Sequence, residues 1–395
     1  MGKKKRGKSG GAGGRKVRVH FRRNRQAPPR QKGIPLHVTH EVDDHDDLAT
    51  PDWETVSAKG DLSRKRTVIE SDNIPAGAIE GFVLAVRGLI ADVELADGTP
   101  YACTIRRVLR TRRIEERHPV VVGDRVLFIP SRVTGDAVAE GVIVRVLARR
   151  SQLRRATERR THLIAANVDQ VIVVASVDLP PLKPSLIDRY LVSASAGGMD
   201  AVVCLNKADL DVDGRAAAVL ERYARIGYPT LMTSVATSTG VDALRERLRG
   251  KSSVFAGQSG VGKSSLLNAV QPGWDLRIGE VCMVTEKGRH TTTTARLLKL
   301  DGGGYVVDTP GIRAFELAMI PVSELEAHFV EFADRVADCK FANCTHIHEE
   351  DCAIRTAVAR GEIHPERHAT YVRLFKERCG LVPKEDYGDE ADSRR

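Results

Sequence analysis

The stretch Gly257-Gln258-Ser259-Gly260-Val261-Gly262-Lys263-Ser264 follows the apolar run SSVFA and leads into the helix-forming run SLLNAV. Glycines at its first, fourth and sixth places let the backbone curl, so that successive N–H groups point inward at anionic oxygens. The helix that starts near Lys263 adds the positive end of its dipole. Lys263 is expected on the β- and γ-phosphates of a nucleotide and Ser264 on Mg²⁺, with Ser265 in the same first turn. The strand before and the helix after separate a phosphate loop from a chance glycine-rich turn.

Asn206-Lys207-Ala208-Asp209 follows the buried-looking strand AVVCL. A carboxylate at Asp209 accepts both N1–H and N2–H₂ of guanine. Adenine offers it no matching pair, and a buried group left unpaired discriminates strongly. Asn206 is expected to buttress the loop and Lys207 to lie along the ring face. Ser234, after the strand PTLMT, is placed to support the base from the far side. Alone, these four residues also read as a polar turn after a strand. Beside a phosphate loop they read as a GTP site.

Asp308-Thr-Pro-Gly311 follows the strand YVVD and has the form of the turn that senses Mg²⁺ and the γ-phosphate. The usual order of these motifs is phosphate loop first and base reader late. Here the base reader precedes the phosphate loop, which precedes the Asp308 turn, so the domain is circularly permuted. Domain termini often lie close together, which makes such a cut tolerable. The segment after Gly311 then runs directly into the C-terminal region, where loss of the γ-phosphate can pull on it. The position that often carries a water-orienting Gln is Ile312. The candidate for positioning water is therefore His290, in the segment Gly288–Thr294 between phosphate loop and Asp308. One of Thr291, Thr292 and Thr293 is expected to close on Mg²⁺. The competing reading of His290 is a loop histidine that packs or touches RNA.

Cys339, Cys344, His346 and Cys352 fall within fourteen residues. Three thiolates and an imidazole can supply a tetrahedral structural Zn²⁺ site. His348 is a competing ligand, and reduced thiols beside a surface histidine are the alternative. Cys103, Cys204, Cys282 and Cys379 read as packing residues.

The elements that must hold these groups follow from periodicity. Residues 78–150 show short alternating runs punctuated by Gly and Asp, which predicts roughly five strands in a small β-barrel of oligonucleotide-binding (OB) type, with an SH3-like barrel close behind. Residues 151–165 read as a linker. Strands are expected at Gln170–Ser176, Ala201–Leu205, Pro229–Thr233, Ser252–Phe255, Ala295–Leu300 and Tyr305–Val307, with helices near 184–196, 213–226 and 241–249. Strand–helix alternation implies a mostly parallel α/β sheet. The expected layout is a basic then acidic disordered extension at 1–72, the barrel at 78–150, the α/β nucleotide domain at 155–318, and a helical zinc-binding domain at 319–395 with a flexible tail.

Composition bounds the rest. The chain has 395 residues and a net charge of +9. Residues 1–40 hold 13 Lys/Arg and no Asp or Glu, which leaves 48 basic against 52 acidic residues elsewhere. That is a polyanion-seeking arm on an ordinary body. Within the barrel Arg106, Arg107, Arg110, Arg112, Arg113 and Arg117 cluster in twelve residues and are expected to grip RNA phosphates, with steep salt dependence. Phe82, Tyr101 and Phe128 are the barrel's only aromatics, too few for base stacking, so backbone contact is favoured over sequence readout. No apolar run approaches the ~18 residues of a membrane span. The N-terminus lacks the core of a signal peptide, Arg6 stands where a myristoylation site has Ser or Thr, and seven Cys argue against a secreted framework. A cytoplasmic monomer is expected, with no membrane partner.

The combination of basic arm, OB-like barrel, permuted NKAD–GQSGVGKS–GRHTTT–DTPG order and CxxxxCxHxxxxxC tail resembles the ribosome small-subunit-dependent GTPase A (RsgA) family, as do IAANVDQVIVVASVD and ARGEIHPERHATYVRLFKE. The resemblance covers roughly residues 78–380. It implies a GTPase that acts late in small-subunit maturation, checks the decoding region and leaves on hydrolysis, with the small subunit, its rRNA and other assembly factors as partners. It also implies Zn²⁺ at Cys339, Cys344, His346 and Cys352, which favours His346 over His348. Two other classes fit the residues: a nucleotide-gated RNA-binding scaffold with incidental hydrolysis, and an RNA-dependent ATPase.

Overall fold

The computed structural model describes residues 74–105, 119–131, 139–157, 160–274, 276, 295–308 and 320–383, together with the backbone of three further strands. The chain divides into two units, Met1–Ile79 with Arg106–Pro119, and Glu80–Ile105 with Val120–Arg395. The first holds those three strands, β1 (Arg15–His20), β2 (Val56–Ser57) and β3 (Lys65–Glu70), in an antiparallel sheet ordered β1-β3-β2. These strands lie in the extension at 1–72 whose composition predicts disorder; the residues between them are outside the described ones. KVRVH alternates valine with polar side chains, and KRTVIE carries the β-branched run Thr67-Val68-Ile69; both suit a strand.

The second unit begins with the barrel: β4 (Ile79–Arg87), β5 (Ile90–Glu94), β6 (Pro100–Ile105), β7 (Arg125–Pro130) and β8 (Glu140–Val146). The order is β4-β5-β6-β8-β7, closed by β4 against β7. The last strand is inserted beside β6 in parallel, a Greek-key jump that selects the oligonucleotide-binding architecture over an SH3-like meander. Val83, Ala91, Val93, Cys103, Val126, Phe128 and Ile143 fill it, at 1% exposure or less.

The expected linker at 151–165 is instead a hairpin, β9 (Gln152–Thr157) and β10 (Arg160–Ala166). Its many arginines disguise the pattern, but Leu153, Leu163 and Ala165 are buried and anchor it.

The nucleotide-domain sheet runs β13 (Thr230–Met232), β12 (Asp200–Asn206), β11 (Gln170–Ser176), β14 (Ser252–Ala256), β16 (Tyr305–Asp308), β15 (Arg296–Lys299). All neighbours are parallel except β15 with β16. Helices α1 (Pro184–Ala196), α2 (Arg215–Arg225), α3 (Val241–Leu248) and α4 (Lys263–Val270) cover it. Along β11, Val171 and Val173 pack with α1 and α2, while Ile172 and Val174 pack with α3 and α4. A strand buried on both faces must be apolar throughout, which is why QVIVVAS does not alternate.

Beyond residue 320 the expected helical region is only half helical. Residues 320–352 form short 3₁₀ turns and irregular loops, followed by α5 (Ala353–Ala359) and α6 (Pro365–Arg378). Clustering four metal-ligand side chains requires a folded-back loop, which a straight helix cannot supply. Phe329, Phe332, Tyr371 and Leu374 form the core here with Val192 of α1. Arg367, 1% exposed, lies over the Phe329 ring at 4.9 Å and binds Asp188 of α1 at 2.8 Å and Glu331 at 2.7 and 2.9 Å.

Candidate nucleotide and metal sites

The groups read as nucleotide-binding sit at the carboxyl ends of β12, β13, β14 and β16, where an open parallel sheet binds its ligands. The phosphate loop leaves β14 with Gly257, Gly260 and Gly262 all at positive φ. A side chain on Gly257 would meet the Val174 carbonyl at 2.1 Å, and one on Gly262 would meet Asn206 Nδ2 at 2.4 Å. Glycine at 262 thus makes room for a side chain of the base-reading turn. Ser259 and Gly260 are exposed and Val261 is buried, so the bend opens outward from an anchored base. The Lys263 ammonium donates to the carbonyls of Gly257 and Gln258 at 2.8 Å each. Ser264 is buried and Ser265 half-buried in the first turn of α4.

Asn206 is buried at the end of β12. Its Nδ2 donates to the Val261 carbonyl at 2.8 Å, and its Oδ1 accepts from Thr233 Oγ1 at 3.1 Å. Lys207 takes a left-handed conformation (φ 61°), and its ammonium donates to the Leu179 carbonyl. Ala208 N donates to the Thr233 carbonyl at 3.0 Å, which fixes the turn. Asp209 is exposed; one of its oxygens accepts from Ser234 Oγ, which is fully buried and also accepts from Thr237 N at 3.3 Å. The carboxylate is therefore oriented by a rigid hydroxyl and presented to solvent.

Asp308 ends β16, one strand from the phosphate loop, and is 2% exposed. Its Oδ2 accepts from Arg296 Nε at 3.1 Å, while Oδ1 has no hydrogen-bond partner among the described residues. A buried carboxylate oxygen with no partner among the described residues, beside a phosphate loop with its own Ser264, suits a hydrated Mg²⁺. His290, Thr291, Thr292 and Gly311 lie outside the described residues, as do Arg106, Arg107, Arg110, Arg112, Arg113, Arg117 and Cys282.

The barrel aromatics are occupied internally. Phe82 packs on Tyr305 at 5.4 Å, and Tyr101 on the buried Phe128 at 4.9 Å. Cys103 and Cys204 are buried, and burial pushes their thiols up to about 12 and about 11. Cys379, expected to pack, is exposed at the end of α6.

One ligand atom from each of Cys339, Cys344, His346 and Cys352 lies within 4.8 Å of the others. His346 is fully buried in a left-handed conformation (φ 58°), and its Nδ1 faces Cys352 Sγ at 3.4 Å and Cys339 Sγ at 3.6 Å. Its Nε2 lies 2.7 Å from Glu326 Oε2, so the carboxylate holds the ring with Nδ1 toward the sulfurs. His348 is exposed and its backbone is tied to Glu349 at 3.2 Å. Three soft sulfurs with one oriented imidazole fit a structural Zn²⁺. Glu326 had no sequence signal. Arg296 had a faint one: a hairpin centred on Gly302 pairs position 296 with 308.

A five-stranded OB-type barrel joined to a permuted phosphate-loop sheet defines a circularly permuted GTPase. The RsgA GTPase family model matches residues 146–318. The small ribosomal subunit biogenesis GTPase RsgA of Thermotoga petrophila is 41% identical over 307 residues, 77% of this chain and 98% of that protein. The one from Azotobacter vinelandii is 43% identical over 311 residues, 78% of this chain and 87% of its own. Among solved structures, YjeQ from Thermotoga maritima aligns with a TM-score of 0.63 at 38% identity over 77% of this chain and 99% of that one. YloQ, a circularly permuted GTPase, aligns with a TM-score of 0.61 at 28% identity over 78% of this chain and 98% of its own. The chain belongs to the RsgA GTPase family.

Proposed function

We propose that this protein hydrolyses GTP to GDP and phosphate while bound to the small ribosomal subunit, and that hydrolysis, stimulated by the subunit, releases it late in the subunit's maturation. The observation that carries the nucleotide reading is the bond from Asn206 to Val261, which ties the base-reading turn to the phosphate loop. The relatives' names carry the ribosomal reading.

In this reading the N–H groups of Gly257–Ser265 and the Lys263 ammonium hold the phosphates. Lys263 exchanges its loop carbonyls for phosphate oxygens as nucleotide enters. Asp209, steadied by Ser234, selects guanine, and Lys207 flanks the ring. Ser264, one of Thr291 and Thr292, and Asp308 hold Mg²⁺, which neutralises charge developing on the phosphates. Gly311 meets the γ-phosphate and His290 orients the attacking water. Arg106, Arg107, Arg110, Arg112, Arg113 and Arg117 engage rRNA phosphates. Zn²⁺ at the Cys339 cluster is structural. The protein works as a cytoplasmic monomer beside other assembly factors.

The test is single-turnover GTP hydrolysis with purified small subunits, large subunits and free rRNA. Large acceleration by small subunits alone is expected; none would favour a nucleotide-gated scaffold. Asp209→Asn should erase the preference for GTP over ATP, which a carboxylate-specific site makes large, on the order of 10⁴. A retained preference removes Asp209 as the base reader. His290→Ala should slow turnover and spare affinity.

A further inference from the structure

Arg296 occupies an unusual junction. On one side its backbone pairs with Asp308 across the β15–β16 hairpin, and its Nε donates to Asp308 Oδ2 at 3.1 Å. On the other side its backbone pairs with Ala85 of barrel strand β4. The far end of the same hairpin is also pinned to the barrel: Lys299 Nζ and the Tyr305 hydroxyl both donate to Glu94 Oε1, at 2.7 and 3.0 Å. The strand that carries Arg296 is thus held at both ends, which is what a group needs in order to aim another.

A carboxylate with one oxygen held by a donor cannot turn about its Cβ–Cγ bond without breaking that contact. The contact to Oδ2 therefore sets the direction of Oδ1, the buried oxygen with no partner among the described residues. Arg296 keeps about a third of its side chain exposed, at 36%, so its charge stays solvated while Asp308 is buried.

We propose that Arg296 is a positioning residue for GTP hydrolysis: by holding Oδ2 of Asp308 it directs Oδ1 at the magnesium shell of the bound nucleotide. The proposal rests on the reading of Asp308 as the magnesium-side carboxylate.

The experiment titrates Mg²⁺ against GTP binding by the full-length protein, with a fluorescent guanine nucleotide as probe, for wild type, Arg296→Ala, Arg296→Gln and Arg296→Lys. GDP affinity without Mg²⁺ and thermal melting are measured alongside. In Arg296→Ala the half-saturating Mg²⁺ concentration is expected to rise by about tenfold or more, the usual consequence of removing a ligand's hydrogen-bond partner. Arg296→Gln and Arg296→Lys, which keep an N–H donor, recover part of it, and Mg²⁺-free GDP affinity stays at the wild-type value. An unchanged or lower Mg²⁺ requirement in Arg296→Ala overturns the proposal. So does loss of Mg²⁺-free GDP binding in all three variants, which makes Arg296 structural. A wild type whose GTP affinity ignores Mg²⁺ instead overturns the reading of Asp308.

Discussion

Asn206 and Val261 stand 55 positions apart in the chain and 2.8 Å apart in space, joined by a hydrogen bond from the Asn206 amide to the Val261 carbonyl. The permuted chain visits the base-reading turn first and the phosphate loop second, yet the fold delivers both to the carboxyl end of the sheet. Replacing Asn206 with Ala removes the tie and leaves a buried carbonyl unpaired. The expected cost in nucleotide affinity is ~1–3 kcal/mol, equal for GTP and GDP because the bond supports the loop rather than the γ-phosphate. Isothermal titration with both nucleotides checks this; a loss confined to GTP, or no loss, contradicts it.

The Cys339 cluster should bind one zinc per chain. Burial pushes the Cys344 thiol up to about 12 and raises that of Cys352, so these groups hold their protons unless a cation offsets the charge. Protons therefore compete with the metal, and zinc affinity should fall as pH falls. Glu326→Gln, which weakens the grip on His346 Nε2, should lower zinc affinity by about 10–100-fold. Competition with a colorimetric chelator at several pH values reads both effects; retention of zinc in Cys352→Ala at wild-type affinity would remove the site.

Arg367 is the buried cation between Asp188 on α1 and Glu331. Arg367→Ala strands two buried carboxylates and should destabilise the protein by ~3–5 kcal/mol in urea unfolding. Arg367→Lys should not rescue, since Nε and Nη2 together hold Glu331 while Nη1 holds Asp188, a fork that an ammonium cannot reproduce. A lysine variant as stable as wild type would refute that geometry.

His364 caps α6, accepting the Glu366 N–H on Nδ1 at 3.2 Å. Acceptance requires neutral imidazole, and burial lowers the pKa of the ring from the usual 6.5. Folding thus favours the neutral form: the stabilisation is complete above the unfolded pKa and is lost as pH falls through the folded one. His364→Ala should cost ~1 kcal/mol at neutral pH and progressively less in acid. Melting of both proteins across that pH range checks it; a gap that widens in acid would reverse the sign.

Much of this was legible beforehand, and particular residues show why. QVIVVAS is apolar without alternation, so β11 had to be buried on both faces. The phosphate loop was readable because glycine spacing, a strand and a helix are all local. The hairpin at β9–β10 was not, because its arginines outnumber the leucines that anchor it. The mixed turns of 320–352 are not legible in the sequence, because helical propensity says nothing about four side chains converging on one point.

What the chain's own residues determined are the features whose physics closes within fourteen residues or fewer, namely the curl at 257–264, the carboxylate at 209 and the Cys/His spacing, together with the order in which they come along the chain. Only the tertiary structure decided which distant groups meet: Asn206 on Val261, Arg296 between Asp308 and the barrel, Glu326 behind His346, Arg367 on Asp188. The reason is physical. Backbone periodicity and turn chemistry are written in neighbours, whereas a contact across 20 or 179 positions depends on how the packed sheet and helices bring separate surfaces together, which no local window contains.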